Sequence, residues 1–336
     1  MGPVTTREMF PLFLPTMAYE PVDPSPLGRG HWRFSLEQVE ANTFEFSDVF
    51  KTQAPRDASG RIQITRAFVE AHATEYANLP LVFFFDGEIA RTALRARVGL
   101  TDEMDAWVEL PVQSYTRGNL DPLIESIHSL GFEQYGRDRV LKNQLTFVVM
   151  SHGVLQFYSD EPQRAKSQDP TLGFSHRLLA SPTWTLSAYA MVKPPLTRMY
   201  GRYQSGWDTG LGLSARWQPS AHHVFYLGGG VVSRPSGSEA YDAMVFGRMR
   251  NGWGGHATWE YRGGTRFRPY VQLYAQSGYL PAQASQKLDR WSLQHDIGVH
   301  WQLAPKTVLT FRYLNNITHN ENTADMGLGV CLSVGM

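Results

Sequence analysis

The sequence predicts an all-β chain: a transmembrane, antiparallel, up-and-down β-barrel of about twelve strands, with short periplasmic turns and long extracellular loops. Three observations carry that expectation. Apolar and polar residues alternate with period two, the mark of a strand with two unlike faces. The alternating segments run to about ten or more residues, enough to cross a bilayer at a tilt. Short and long connections between the segments also alternate. A soluble β-sandwich shows the first pattern as well, but its strands usually hold about five or six residues.

The segments follow in order. Trp32, Phe34 and Leu36 open the first. Leu94, Ala96 and Val98 share one face, with Arg91, Arg95 and Arg97 on the other. After Gly99-Leu100-Thr101-Asp102, Met104, Ala106, Val108 and Leu110 oppose Asp105, Trp107 and Glu109. Leu172, Phe174 and Leu178 precede a turn at Ser181-Pro182, and Trp184, Leu186, Ala188, Ala190 and Val192 follow it. Similar pairs flank Pro219-Ser220, Gly263-Gly264 and Ala304-Pro305, and the last segment runs from Met326 to Met336. Turns near residues 100, 182, 219, 264 and 305 are short. The connections 47–79, 116–169, 194–206, 234–251, 279–288 and 317–324 are long. An even strand number puts both chain ends on the side of the short turns. Closure leaves no backbone edge facing lipid.

Residues 1–30 are a Pro-rich segment (Pro3, Pro11, Pro15, Pro21, Pro24, Pro26) that cannot form a regular strand. It is expected to lie in the periplasm or to enter the lumen, with residues 31–336 forming the barrel. Within the long loop 116–169 a short helix is expected near 121–130. Asn119 or Asp121 would cap it, Pro122 suits its first turn, and Ile124, Ile127 and Leu130 form an apolar stripe. It would pack on the barrel rim or fold into the mouth as a lid or constriction.

Composition narrows the function. Lys plus Arg and Asp plus Glu both total 31, so no basic footprint for nucleic acid exists. Charged residues are 18% and aromatics 12%, which suits a barrel with aromatic rims. The single cysteine, Cys331, allows neither an internal disulfide nor a cysteine metal cluster. No apolar run approaches the length of a membrane helix. No basic-then-apolar secretory signal opens the chain, so we expect the signal to have been removed from a protein of the bacterial outer membrane.

The polar faces are assigned to the lumen. Pairing across the first turn is expected to put Arg97 opposite Asp105 and Glu109 diagonal to Arg91 or Arg95. Across Gly263-Gly264, Glu260 would oppose Arg268 and His256 would approach Gln272. These charges either satisfy one another and plug the interior, or Arg91, Arg95 and Arg97 line a constriction. Glu125 and His128 have the i, i+3 spacing of di-metal carboxylate bundles, but the other ligands of such a site are missing, so no metal or cofactor is expected. His222 and His223 are neighbours on a strand and face opposite sides. Ser151-His152 invites a lipase reading, yet adjacent residues point apart and no third orienting group is identifiable. Gly228-Gly229-Gly230 lies within a strand and suits close packing or bending, not a phosphate loop.

Met9-Phe10-Pro11-Leu12, Arg29-Gly30-His31-Trp32 and Ala41-Asn42-Thr43-Phe44 resemble the start of an uncharacterised bacterial outer-membrane β-barrel family, domain of unknown function number 3187. Phe85-Asp86-Gly87-Glu88, Gly99-Leu100-Thr101-Asp102 and Leu110-Pro111 look like its second hairpin. Leu120-Asp121 through Ile124-Glu125, His128, Gly131-Phe132 and Gly136-Arg137-Asp138-Arg139 look like its long-loop signature. The resemblance implies fold and location but no activity. Such barrels usually end on Phe or Trp; here Met336 keeps an apolar outward position without the aromatic ring.

The functional expectation is a narrow channel or transporter for small polar solutes, with outer-membrane lipid around it. The alternative is a non-conducting structural barrel with a plugged lumen, whose loops and N-terminal segment bind envelope partners. A third reading is a lipid-acting enzyme resting on Ser151 and His152.

Overall fold

Twelve strands close into one antiparallel ring in the computed structural model. It describes residues 2–11, 13–118, 120–128, 140–199, 202–203, 206–234, 249–264, 266–280, 288–318 and 323–336. The wall strands are β1 Trp32–Phe46, β2 Val82–Gly99, β3 Met104–Thr116, β4 Thr171–Ala180, β5 Trp184–Lys193 and β6 Asp208–Trp217. They continue as β7 His223–Ser233, β8 Gly252–Tyr261, β9 Phe267–Gln276, β10 Ser292–Ala304, β11 Thr307–Thr318 and β12 Met326–Gly335. Each pairs with its neighbours in sequence, and β1 also pairs with β12, from Arg33↔Gly335 to Asn42↔Met326. That last pairing removes both sheet edges.

The alternation sorts side chains by face. Leu36, Leu94, Leu110, Leu172, Leu213, Leu227, Leu273 and Leu332 are exposed on the outside. Arg91, Glu109, Ser187, Ser214, Thr258, Gln272 and Asp296 are buried inside. A ten-residue tilted strand raises an apolar band roughly 25 Å tall. Aromatic rings bound the band at both ends. At the turn end Trp184 stacks on Trp217 at 5.7 Å, Trp217 on Phe225 at 5.2 Å and Phe267 on Trp301 at 5.6 Å. At the loop end Trp207, Trp253 and Trp291 stand exposed.

Both chain ends meet the short turns. The Met336 amide donates to the Trp32 carbonyl at 2.9 Å, and Gly30 donates to Gly99 at 2.9 Å. Strand order, alternation of connections and end placement all agree with the expectation from sequence.

The registers differ from it by about two residues. Arg95 lies opposite Glu109 and Arg97 opposite Trp107, so Arg97 reaches Asp105 diagonally. Glu260 opposes Tyr270, not Arg268, and His256 opposes Tyr274, with Gln272 facing Thr258. Turn length sets register, and one residue more or less in the turn moves every partner.

The loop end carries a second layer. α1 (Val49–Gln53) and α2 (Arg66–Ala71, capped by the Thr65 hydroxyl accepting from Phe68 N at 3.2 Å) lie in the first long loop. In the second, Thr146–Ser151 and Val154–Ser159 form a hairpin that extends the sheet beyond β2, with Val82↔Met150 and Asp86↔Thr146. Its one face, with Val82, Phe84, Val148 and Met150, packs on Phe50, Val69 and Tyr76 under the helices. Its other face, with Phe83, Phe85, Phe147 and Val149, packs on Phe10 and Phe13. The segment 116–169 thus holds a hairpin as well as a helix.

Candidate functional site: an occupied lumen

Residues 2–27 run inside the barrel as a re-entrant hairpin. The chain rises from Leu27 near the turn end to a tip at Phe10–Phe13, then descends to Val4. The tip is a turn, with Phe13 and Leu14 both donating to the Phe10 carbonyl. Arg7 ties the two arms, pairing with Glu20 at 3.3 Å and donating to the Leu14 carbonyl at 2.8 Å. Prolines keep this segment from laddering with the wall, so its backbone groups need side-chain partners. The inward faces of the strands supply them. Ser187 Oγ donates to Pro24 O at 2.6 Å, Ser214 Oγ to Val22 O at 2.5 Å and Tyr274 OH to Tyr19 O at 2.8 Å. Arg234 grips Met17 O with Nε at 2.9 Å and Nη2 at 2.8 Å, and Lys193 Nζ donates to Pro15 O. Asp208 accepts from Met17 N at 2.8 Å and Asp105 from Leu27 N at 3.1 Å. Gln272 holds Val4 at both ends, accepting from its N at 3.2 Å and donating to its O at 2.9 Å.

A charge network joins segment and wall. Glu109 accepts from Arg91 Nη2, and from Arg95 Nη2 at 2.6 Å and Nε at 3.2 Å. Arg95 Nη2 also reaches Glu20 of the segment at 2.6 Å. Arg97 pairs with Asp105 at 2.5 Å and donates to Asp23 O and Ser25 O at 3.1 Å. Arg312 meets Glu37 at 2.9 Å and Asp296 at 3.1 Å, and Thr6 Oγ1 donates to Asp296 at 3.0 Å. Glu8, buried near the tip, accepts from Phe10 N at 2.9 Å, Ala324 N at 3.2 Å and Gln276 Nε2 at 2.8 Å. Buried acids and bases persist only where each finds partners of the other sign or hydrogen-bond donors, and Glu8 is met by neutral donors.

The remaining candidates fall elsewhere. Glu260 accepts from Arg262 at 2.9 Å and Tyr226 at 3.0 Å, while Arg268 donates to Gln302 at 2.9 Å. Thr258 Oγ1 donates to Gln272 Oε1 at 2.6 Å. His256 Nδ1 lies 2.6 Å from the hydroxyl of Tyr19, a partner that sequence reasoning did not anticipate. α3 spans Asp121–His128. Leu120, just before it, and Ile124 within it pack on Met326, and Asp121 accepts from Asn143 N at 2.7 Å. Asn119, residues 129–130 and the side chains of Glu125, Ile127 and His128 lie outside the described residues. His223 Nδ1 accepts from Trp259 Nε1 at 3.1 Å. His152 (φ 47°) and Gly153 (φ 75°) form the two-residue turn of the loop hairpin, as left-handed backbone requires. No cluster of metal-ligating side chains occurs among the described residues.

The lumen is closed at the loop end and open at the turn end. The Phe10–Phe13 tip sits in an apolar cluster with Phe83, Phe85, Phe147, Tyr279 and Leu288. Below, a cavity of about 440 Å³ opens between the segment and the wall, lined by Arg33, Glu37, Arg95, Arg97, Arg268, His300 and Arg312 among others.

A closed ring of strands with an apolar outer band, two aromatic girdles and a polar interior defines an outer-membrane β-barrel. The chain belongs to the family described as "Protein of unknown function (DUF3187)", which matches residues 57–336. β1 and the lumenal segment precede that span. No curated protein matches the chain. Among solved structures it is similar to the COG4313 outer membrane channel from Pseudomonas putida F1. The TM-score is 0.56 and the identity 11%, over 95% of this chain and all of that one. It is also similar to the NanC porin, with a TM-score of 0.45 and 9% identity, over 89% of this chain and 98% of that one.

Proposed function

We propose that the protein is a narrow outer-membrane channel for small polar solutes, held closed by residues 2–27. One observation supports this above the others: the wall leaves the space that the segment fills. A barrel of about eight strands fills its interior with the side chains of its own wall, whereas twelve strands enclose more than their side chains fill. Here neighbouring strands turn small residues inward where the segment lies, including Gly210, Gly228 and Gly254. The segment joins the wall covalently only at its Leu27 end, and its contacts along the bore include many polar groups that water can replace. Withdrawal toward the periplasm leaves a bore lined by Arg91, Arg95, Arg97, Gln272 and Asp296. Glu8, Glu20 and Asp23 leave with it against one cation, Arg7, so the open bore loses net negative charge and favours anions.

The test is conductance in planar bilayers of the refolded chain, with and without residues 1–27. Steady current is expected only in the truncated protein, with anion over cation selectivity that weakens in Arg95→Gln. Silence of the truncated protein, shown folded by its heat-modifiable gel mobility, would leave the non-conducting, partner-binding reading in place of this one.

A further inference from the structure

The geometry points to a binding site for a phenolic ring in the lumen wall, occupied in this state by Tyr19 as a resident mimic. As cargo specificity, this rests on the channel reading; as a binding site, it stands apart from it. The site lies on the inner faces of β7, β8 and β9. Its floor is made by two glycines on neighbouring strands. A Cβ on Gly228 would stand 2.7 Å from the Tyr19 hydroxyl, and one on Gly254 would overlap the Tyr19 ring, reaching Cγ at 2.6 Å and Cδ1 at 2.9 Å. A side chain at either position intrudes on the slot. The Tyr274 ring forms one side, stacked on Tyr19 with centroids 6.0 Å apart and planes at 29°. Trp107, Tyr189 and Val232 of the wall line the surround, which Met17 and Val22 of the segment complete in this state.

Two polar groups meet the Tyr19 hydroxyl, the Tyr189 hydroxyl and the His256 ring. The His256 imidazole stands 5.9 Å from the Tyr19 ring and presents Nδ1 to its hydroxyl at 2.6 Å. His256 is 6% exposed, and its Nε2 has no partner among the described residues. A buried histidine on a glycine floor beneath an aromatic face does not serve wall packing, which a valine or leucine at these positions would do better. It does discriminate: a flat ring enters the slot, and a ring with a hydroxyl para to its attachment satisfies His256. A ring without that hydroxyl leaves the imidazole unpaired in an apolar site. A solute of this class competes with Tyr19 for the slot, so binding and release of the segment are linked.

The probe is p-cresol, the tyrosine side chain as a free molecule, with toluene as its counterpart lacking the hydroxyl. In the folded chain without residues 1–27, equilibrium dialysis is expected to show one saturable p-cresol site. Toluene should bind about tenfold more weakly, and His256→Phe should lose about the same factor for p-cresol. Gly228→Ala, whose Cβ would press on His256 Cε1 at 2.5 Å as well as on the ring's hydroxyl, should weaken binding of both rings. In the full-length chain, saturating p-cresol and not toluene should speed tryptic cleavage after Arg7, followed by mass spectrometry. Equal binding of the two rings, or no saturable binding, overturns the site. Binding to the truncated chain with Arg7 still protected in the full-length one reduces the slot to a seat for the segment and overturns the cargo assignment. Current without p-cresol binding retires this inference and keeps the channel; binding without current retires the channel and keeps the site.

Discussion

Glu109→Ala is expected to destabilise the barrel by about 3 kcal/mol, at the lower end of the range for stranding a buried charge. Glu109 is 2% exposed and accepts hydrogen bonds from two guanidinium groups. Removing it leaves Arg91 and Arg95 inside the wall. The loss is not larger because each keeps a second acid, Glu20 at 2.6 Å from Arg95 and Glu37 at 4.0 Å from Arg91. That partial compensation supplies an internal check. In the chain lacking residues 1–27 Glu20 is gone, so the same substitution should destabilise more, and the difference measures coupling between segment and wall. Urea midpoints from tryptophan fluorescence in detergent read both values. Equal effects in the two chains would show that Glu20 contributes nothing at Arg95, and a loss below about 1 kcal/mol would put the pair in the class of exposed surface bridges.

How much of this was legible follows from what each pattern depends on. The wall was legible because a strand between lipid and a polar lumen repeats its demand every second residue: Arg91, Arg95 and Arg97 fall on one face and Leu94, Ala96 and Val98 on the other. Register was not, because it depends on turn geometry. The Gly99–Glu103 connection bonds Leu100 N to Met104 O at 2.8 Å, two residues from the arrangement that would face Arg97 with Asp105. The hairpin at Thr146–Ser159 escaped for a different reason. Phe147, Val148, Val149 and Met150 are buried on both faces, one against the helices and one against the tip of the segment, so no alternation marks them.

The path of residues 2–27 was half legible, since proline density says only that no strand forms and left both the periplasm and the lumen open. A signal did exist on the wall. Gly210, Gly212, Gly228, Gly230 and Gly254 share the inward parity of three consecutive strands, a face too small to fill its own bore. Small inward residues grouped on neighbouring strands imply an occupant, and Tyr19 and Met17 lie there. His256, read from sequence as a wall partner for Gln272, belongs to that occupant instead.

Leu213→Arg is expected to destabilise the protein folded in lipid vesicles by about 2–4 kcal/mol, while Leu303→Arg should shift it by about 1 kcal/mol or less. The contrast follows from depth. Leu213 is 50% exposed in the middle of β6, between Trp207 near the loop end and Trp217 at the turn end. An arginine there must carry its charge in hydrocarbon or distort the bilayer around it. Leu303 is 43% exposed but sits beside the Pro305-Lys306 turn, past the girdle residue Trp301, where a guanidinium reaches headgroups and water. Both side chains point away from the lumen, so neither substitution touches the segment or its partners. The difference between them therefore reports the surroundings of the outer face alone. A soluble protein with the same exposed leucines would tolerate the two arginines equally, since water meets both positions. Equal and small shifts would thus remove the apolar band from lipid, and with it the basis for reading the closed ring as a membrane wall.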